Sequence, residues 1–144
     1  MRRCLLPAWL FGWVTAIFLP GAILARFGQG VPLSRLPATV WQMGDDIGPV
    51  AKLLLGGFLL LGFLLVGRKA SRRTVPDLLL ATAVAVAAML ATIALVPAEY
   101  SRGFALGLTG TRFDPATLPA YLTGAVLAGI LFSWSLRRCR QRRL

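Results

Sequence analysis

The stretch Leu53–Val66, LLLGGFLLLGFLLV, decides the fold. Leucine, phenylalanine, glycine and valine occupy every angular position of a 3.6-residue turn, so a helix built from it has no polar face to turn toward water. Working outward, the apolar run extends from Pro49 to Gly67 and is interrupted only by Lys52, close enough to the end for its ammonium to snorkel. A helix needs about 20 apolar residues to cross a hydrocarbon core at 1.5 Å rise each. Three more runs meet that length without a charge: Leu5 to Ala25, Leu78 to Pro97 and Ala120 to Leu136. The reading is an all-α integral membrane protein, one domain over residues 1–144, with four transmembrane helices and outer loops at 26–48 and 98–119.

Composition supports the bilayer as solvent. Hydrophobic residues make up 57% of the chain, and the mean hydropathy is +0.72, beyond the range of an ordinary soluble domain. Sixteen Lys and Arg against five Asp and Glu leave a net charge of +11, which in a soluble protein suggests nucleic acid. Here the cations lie at the ends of apolar runs, so their expected partners are the bilayer and its anionic headgroups at the cytoplasmic face, with no nucleic acid.

The cations also give an orientation. Arg2 and Arg3 precede the first span; Arg68, Lys69, Arg72 and Arg73 follow the second; Arg137, Arg138, Arg140, Arg142 and Arg143 follow the fourth. The other two connections hold only Arg26, Arg35, Arg102 and Arg112, together with the acids Asp45, Asp46, Glu99 and Asp114. By the positive-inside rule both termini and the 68–77 loop face the cytoplasm, in a cell inner membrane. A cleaved signal peptide has the same general shape as the first run, but this run is longer than a usual apolar h-region, contains Trp9 and Trp13, and has Ile23 before Ala25 where a small residue belongs.

Several chemistries are excluded by residue type. The chain has no histidine, which removes imidazole metal sites, bis-histidine haem and a histidine-containing triad. Cys4 and Cys139 flank arginines on the side assigned to the cytoplasm, so they are expected to be two reduced thiols doing no shared redox work. No second pair faces the oxidising side, which argues against a quinone-linked thiol oxidase or a soft-metal carrier. No cofactor is expected.

Recognition is left to the outer loops. In the first, Leu36, Val40 and Met43 have helical spacing with Trp41 beside them, as in a short interfacial helix over Leu36–Met43. The second carries Phe104, Leu106, Leu108, Phe113 and Leu118 among glycines, suited to the membrane surface. Offsetting the chain by 77 residues aligns Thr15 with Thr92, Pro20 with Pro97, Phe27 with Phe104, Gly30 with Gly107 and Arg35 with Arg112. One inserted residue later, Pro37-Ala38-Thr39 meets Pro115-Ala116-Thr117. A duplication would make two tandem helical hairpins related by a pseudo-two-fold along the membrane normal. Arg35 and Arg112 would then converge on one anionic group, where the simpler assignment gives each a nearby acid or lipid phosphate.

Asp45-Asp46 before Gly48-Pro49 reads first as charge placed near the N-terminus of the second span, where the helix dipole favours it. The functional alternative is a cation site or general base of Asp45, Asp46 and Glu99 with Arg102, Arg35 or Lys52 as electrostatic partners, and the residues expected to bind a partner or anion are Arg35, Arg112, Asp45, Asp46, Glu99 and Arg102. Alanine across the third span and Gly124, Ala125, Ala128 and Gly129 in the fourth predict close packing of those two helices. The function expected from this pattern is that of a non-enzymatic accessory or structural subunit, bound to a membrane-protein partner or to copies of itself. The alternatives are an oligomeric small transporter or channel component, and an enzyme acting on a lipid-linked phosphate at the outer leaflet.

Overall fold

The computed structural model describes residues 2–69, 74–96 and 115–141. These form helices α1 (Arg2–Ile23), α2 (Leu36–Asp46), α3 (Pro49–Lys69), α4 (Thr74–Leu95) and α5 (Leu118–Gln141), with no strand among the described residues. All but α2 are long and apolar enough to cross a membrane, and each overlaps one of the four apolar runs read from sequence, with ends that differ by up to five residues.

The spans pack in a ring, in the order α1, α5, α4, α3 and back to α1. Consecutive spans reverse direction, so every neighbour in the ring is antiparallel. The start of α1, the end of α3 and the end of α5 share one end of the bundle, because Leu5 reaches Gly67 and Cys4 joins Cys139. We call this the cysteine end, and the opposite one the α2 end.

Side-chain size is distributed as lipid requires. The interior contains Ala8, Ala16, Ala81, Ala85, Ala88, Ala125 and Ala128, whereas Leu6, Leu10, Phe11, Leu53, Leu61, Leu65, Leu79 and Leu95 point outward. In water such outward leucines would make an association-prone surface. In a bilayer they cost nothing, and small inward residues let backbones close up where no hydrophobic force drives helices together.

The closest approaches follow from this. Cys4, Ala8, Gly12, Ala16 and Pro20 are all buried at every fourth position of α1, a small-residue face set against α5. A Cβ added to Gly12 would lie 3.2 Å from the Ala128 carbonyl oxygen. Between α4 and α5, a Cβ on Gly129 would come within 2.6 Å of Thr82 Cα and 2.8 Å of the Ala81 oxygen. The expected tight pairing of these two helices is therefore present. Phe63 and Phe132 stack with ring centroids 3.8 Å apart and 9° between planes, and Leu55, Leu59 and Met89 are fully buried in the same core.

The α1–α3 contact is built differently. Trp9 and Trp13 stack one turn apart, centroids 5.3 Å, and fill the space between the helices. The Trp9 indole N–H donates to the Gly56 carbonyl at 3.0 Å, and that of Trp13 donates to the Lys52 carbonyl, also at 3.0 Å. Indole N–H groups away from water need such acceptors.

Two expectations are corrected. Cys4 and Cys139 are not independent thiols: their sulfurs are bonded, with the Cα atoms 5.7 Å apart across a sequence separation of 135. The cause is topological, since the first and last spans are neighbours in the ring and their outer turns meet. The short helix in the first loop runs on to Asp46 rather than stopping at Met43, because Gly44 seats it against the Phe18 ring.

The halves also differ locally. Pro37-Ala38-Thr39 lies within the first turns of α2, while Pro115-Ala116-Thr117 forms a turn leading directly into α5. Helix α2 separates its triplet from α3, whereas the second triplet abuts its span.

Candidate functional site

At the α2 end, α1 finishes in a π-helical turn, Leu24–Gly28. The Gln29 and Val31 N–H groups donate to the Leu24 and Ala25 carbonyls, both at 3.0 Å, and Gly30 turns the chain at φ 64°. Helix α2 then crosses α1. Trp41 stacks on Phe18 with centroids 5.8 Å apart, and Met43 lies over Gly21. Phe18, Leu36, Pro37, Val40 and Trp41 line an open apolar groove between the two helices, ≈ 320 Å³ in volume.

Arg35 occupies the N-cap position of α2 and is exposed. A cation beside a helix N-terminus opposes the dipole and supplies no capping acceptor, so helix stability does not account for arginine there. Its carbonyl accepts from both the Thr39 N–H and the Thr39 hydroxyl, each at 3.1 Å. Arg35 thus directly precedes Leu36 and Pro37, two of the residues that line the apolar groove.

Asp45 and Asp46 belong to the last turn of α2. Ile47 and Gly48, the latter at φ 82°, connect that turn to Pro49 at the start of α3. Asp45 Oδ1 lies 3.7 Å from Lys52 Nζ, an ion pair across the joint. Carboxylates at the C-terminus of α2 meet the wrong end of its dipole, which the adjacent N-terminus of α3 and the Lys52 ammonium offset. Ten residues of helix separate Arg35 from Asp45, about 15 Å along the axis, so the structure does not gather Arg35, Asp45 and Asp46 at one point. Arg112, Glu99 and Arg102 lie outside the described residues.

No protein-family model, curated protein or solved structure matches the chain.

Four threonine hydroxyls inside the spans turn back on their own helices. The hydroxyls of Thr15, Thr82, Thr92 and Thr123 each donate to the carbonyl four residues back, at 2.7 to 2.9 Å. The aligned pair Thr15 and Thr92 share this bond with both other threonines, so it does not mark the repeat. No group of three or more metal-ligating side chains occurs among the described residues.

At the cysteine end, a second groove of ≈ 580 Å³ opens beside the Cys4–Cys139 bond, with Pro7, Phe11, Trp134 and Arg138 among its walls. The Arg138 guanidinium lies 4.0 Å from the centroid of the Trp134 ring, a cation–π contact that fixes the charge at the groove edge. Sequence reasoning passed over this place, because neither the pairing of two distant cysteines nor the neighbouring tryptophan leaves a local signature.

Proposed function

We propose that this chain is a non-enzymatic accessory subunit of a cell inner membrane, with both termini in the cytoplasm, bound to a membrane partner through its helix surfaces and its α2 end. The observation that carries the reading is the packed axis of the bundle. Phe63, Phe132, Leu55, Leu59 and Met89 fill it, and the span threonines spend their hydroxyls on their own backbones. A transport path normally presents polar groups to its cargo, and among the described residues the spans bury few, chiefly Thr92, Ser133 and Tyr121. What the molecule offers instead is surface: leucine-rich outward faces, and Arg35 beside an apolar groove.

The orientation is supported by eleven cations on one side against four on the other. If Arg35 and its aligned counterpart Arg112 recognise an anionic group of the partner or a lipid phosphate, the two hairpins present equivalent charges on the outer face. Reversing both to Glu is the test. Copurification of the partner in mild detergent, read by mass spectrometry, is expected to fall to background while membrane insertion is unchanged, because the eleven inner cations remain. Undiminished copurification from the double variant, with loss on truncating 140–144 instead, would place recognition on the cytoplasmic side and defeat the proposal.

A further inference from the structure

The bonded cysteines, the groove beside them and a fixed arginine meet at one end of the bundle, and the accessory-subunit reading uses none of them. Cys4 is in the first turn of α1 and only 4% exposed; Cys139, near the end of α5, is half-buried. Their Cα separation of 5.7 Å is within the ordinary span of a disulfide. The orientation proposed from the eleven cations puts this end in the cytoplasm, where thiols are held reduced and disulfides are usually transient. A pair brought to bonding distance on the reducing side is a pair that cycles.

We propose that Cys4 and Cys139 form a reversible latch between the first and last spans, closed by a carboxylate-bearing low-molecular-weight disulfide that enters the groove beside Arg138. The inference rests on the cytoplasmic orientation proposed above. Arg138, held over Trp134, supplies the charge for the carboxylate, and Pro7 and Phe11 form the apolar wall. Cys139 is the more accessible sulfur, so its thiolate attacks first. One S–S bond of the small disulfide breaks, one small thiolate leaves, and a mixed disulfide forms on Cys139. The Cys4 sulfur, after losing its proton, attacks the Cys139 sulfur and expels the second small thiolate. Two protein thiols are oxidised, one small disulfide is reduced to two thiols, and the two protons released by the cysteines end on them. Excess small thiol reverses both steps and opens the latch.

The test has two arms. In unstressed cells, acid quenching followed by a polymer-linked maleimide is expected to label both cysteines, and a brief diamide treatment to abolish labelling. In reduced protein reconstituted in nanodiscs, oxidised glutathione is expected to close the bond faster than the cationic disulfide cystamine. Arg138→Glu is expected to slow the glutathione reaction by about threefold, the scale of an exposed ion pair, and to speed the cystamine reaction. No bond formation with either disulfide would overturn the latch. So would a bond already complete in unstressed cells when a C-terminal reporter reads as cytoplasmic. A complete bond with that reporter outside would instead overturn the orientation, and the cysteines would be a permanent staple. An Arg138→Glu variant with unchanged preference would remove the groove from the reaction.

Discussion

At the residue scale the molecule is governed by where side chains are missing. Gly129 lets α5 lie directly on α4, with Thr82 Cα and the Ala81 oxygen occupying the space of a side chain. Backbone atoms cannot swing aside. Gly129→Val should therefore force the helices apart at a cost of about 1–3 kcal/mol, as overpacking does elsewhere, and lower the thermal midpoint in detergent. Gly57→Val is the matched control, because nothing lies within 4 Å of a Cβ there; its midpoint should not fall. Equal loss in both would mean that adding a branched side chain, rather than the close approach at Gly129, sets the response. The alanines and glycines of α4 and α5 announced this packing in the sequence. The bond between Cys4 and Cys139 was not legible, because it depends on which spans are neighbours, and span order in a ring leaves no trace in local spacing.

At the element scale, contacts of two kinds hold the spans. The α1–α5 and α4–α5 pairs close on small residues, whereas α1 and α3 are linked by two indole donors on carbonyls one turn apart. Trp9→Phe and Trp13→Phe keep the aromatic bulk and remove the donors. Each should cost about 0.6 kcal/mol and no more than about 1.7, the range for interhelical hydrogen bonds in membranes. Unfolding of the double variant in mixed micelles checks this; a wild-type curve would mean that the indoles act only as spacers. The presence of four long apolar helices could be read from apolar length alone. The end of α2 could not, since Gly44-Asp45-Asp46 interrupts the apolar spacing and continues the helix only because Phe18 and Lys52 wait in three dimensions. The arrangement of the candidate residues was not legible, because Arg35 and the Asp45-Asp46 pair are at opposite ends of α2.

At the scale of the whole molecule, one asymmetry organises everything else. The cysteine end of the bundle holds the start of α1, the end of α3 and the end of α5, and around these the sequence places eleven of its cations. If that end lies in the cytoplasm, the latch operates in a reducing compartment and Arg35 faces outward. The most direct measurement is a pair of fusions to a reporter active only outside the cytoplasm, one after Leu144 and one at Gln29. The account predicts no activity from the first and full activity from the second; activity after Leu144 with none at Gln29 would contradict it.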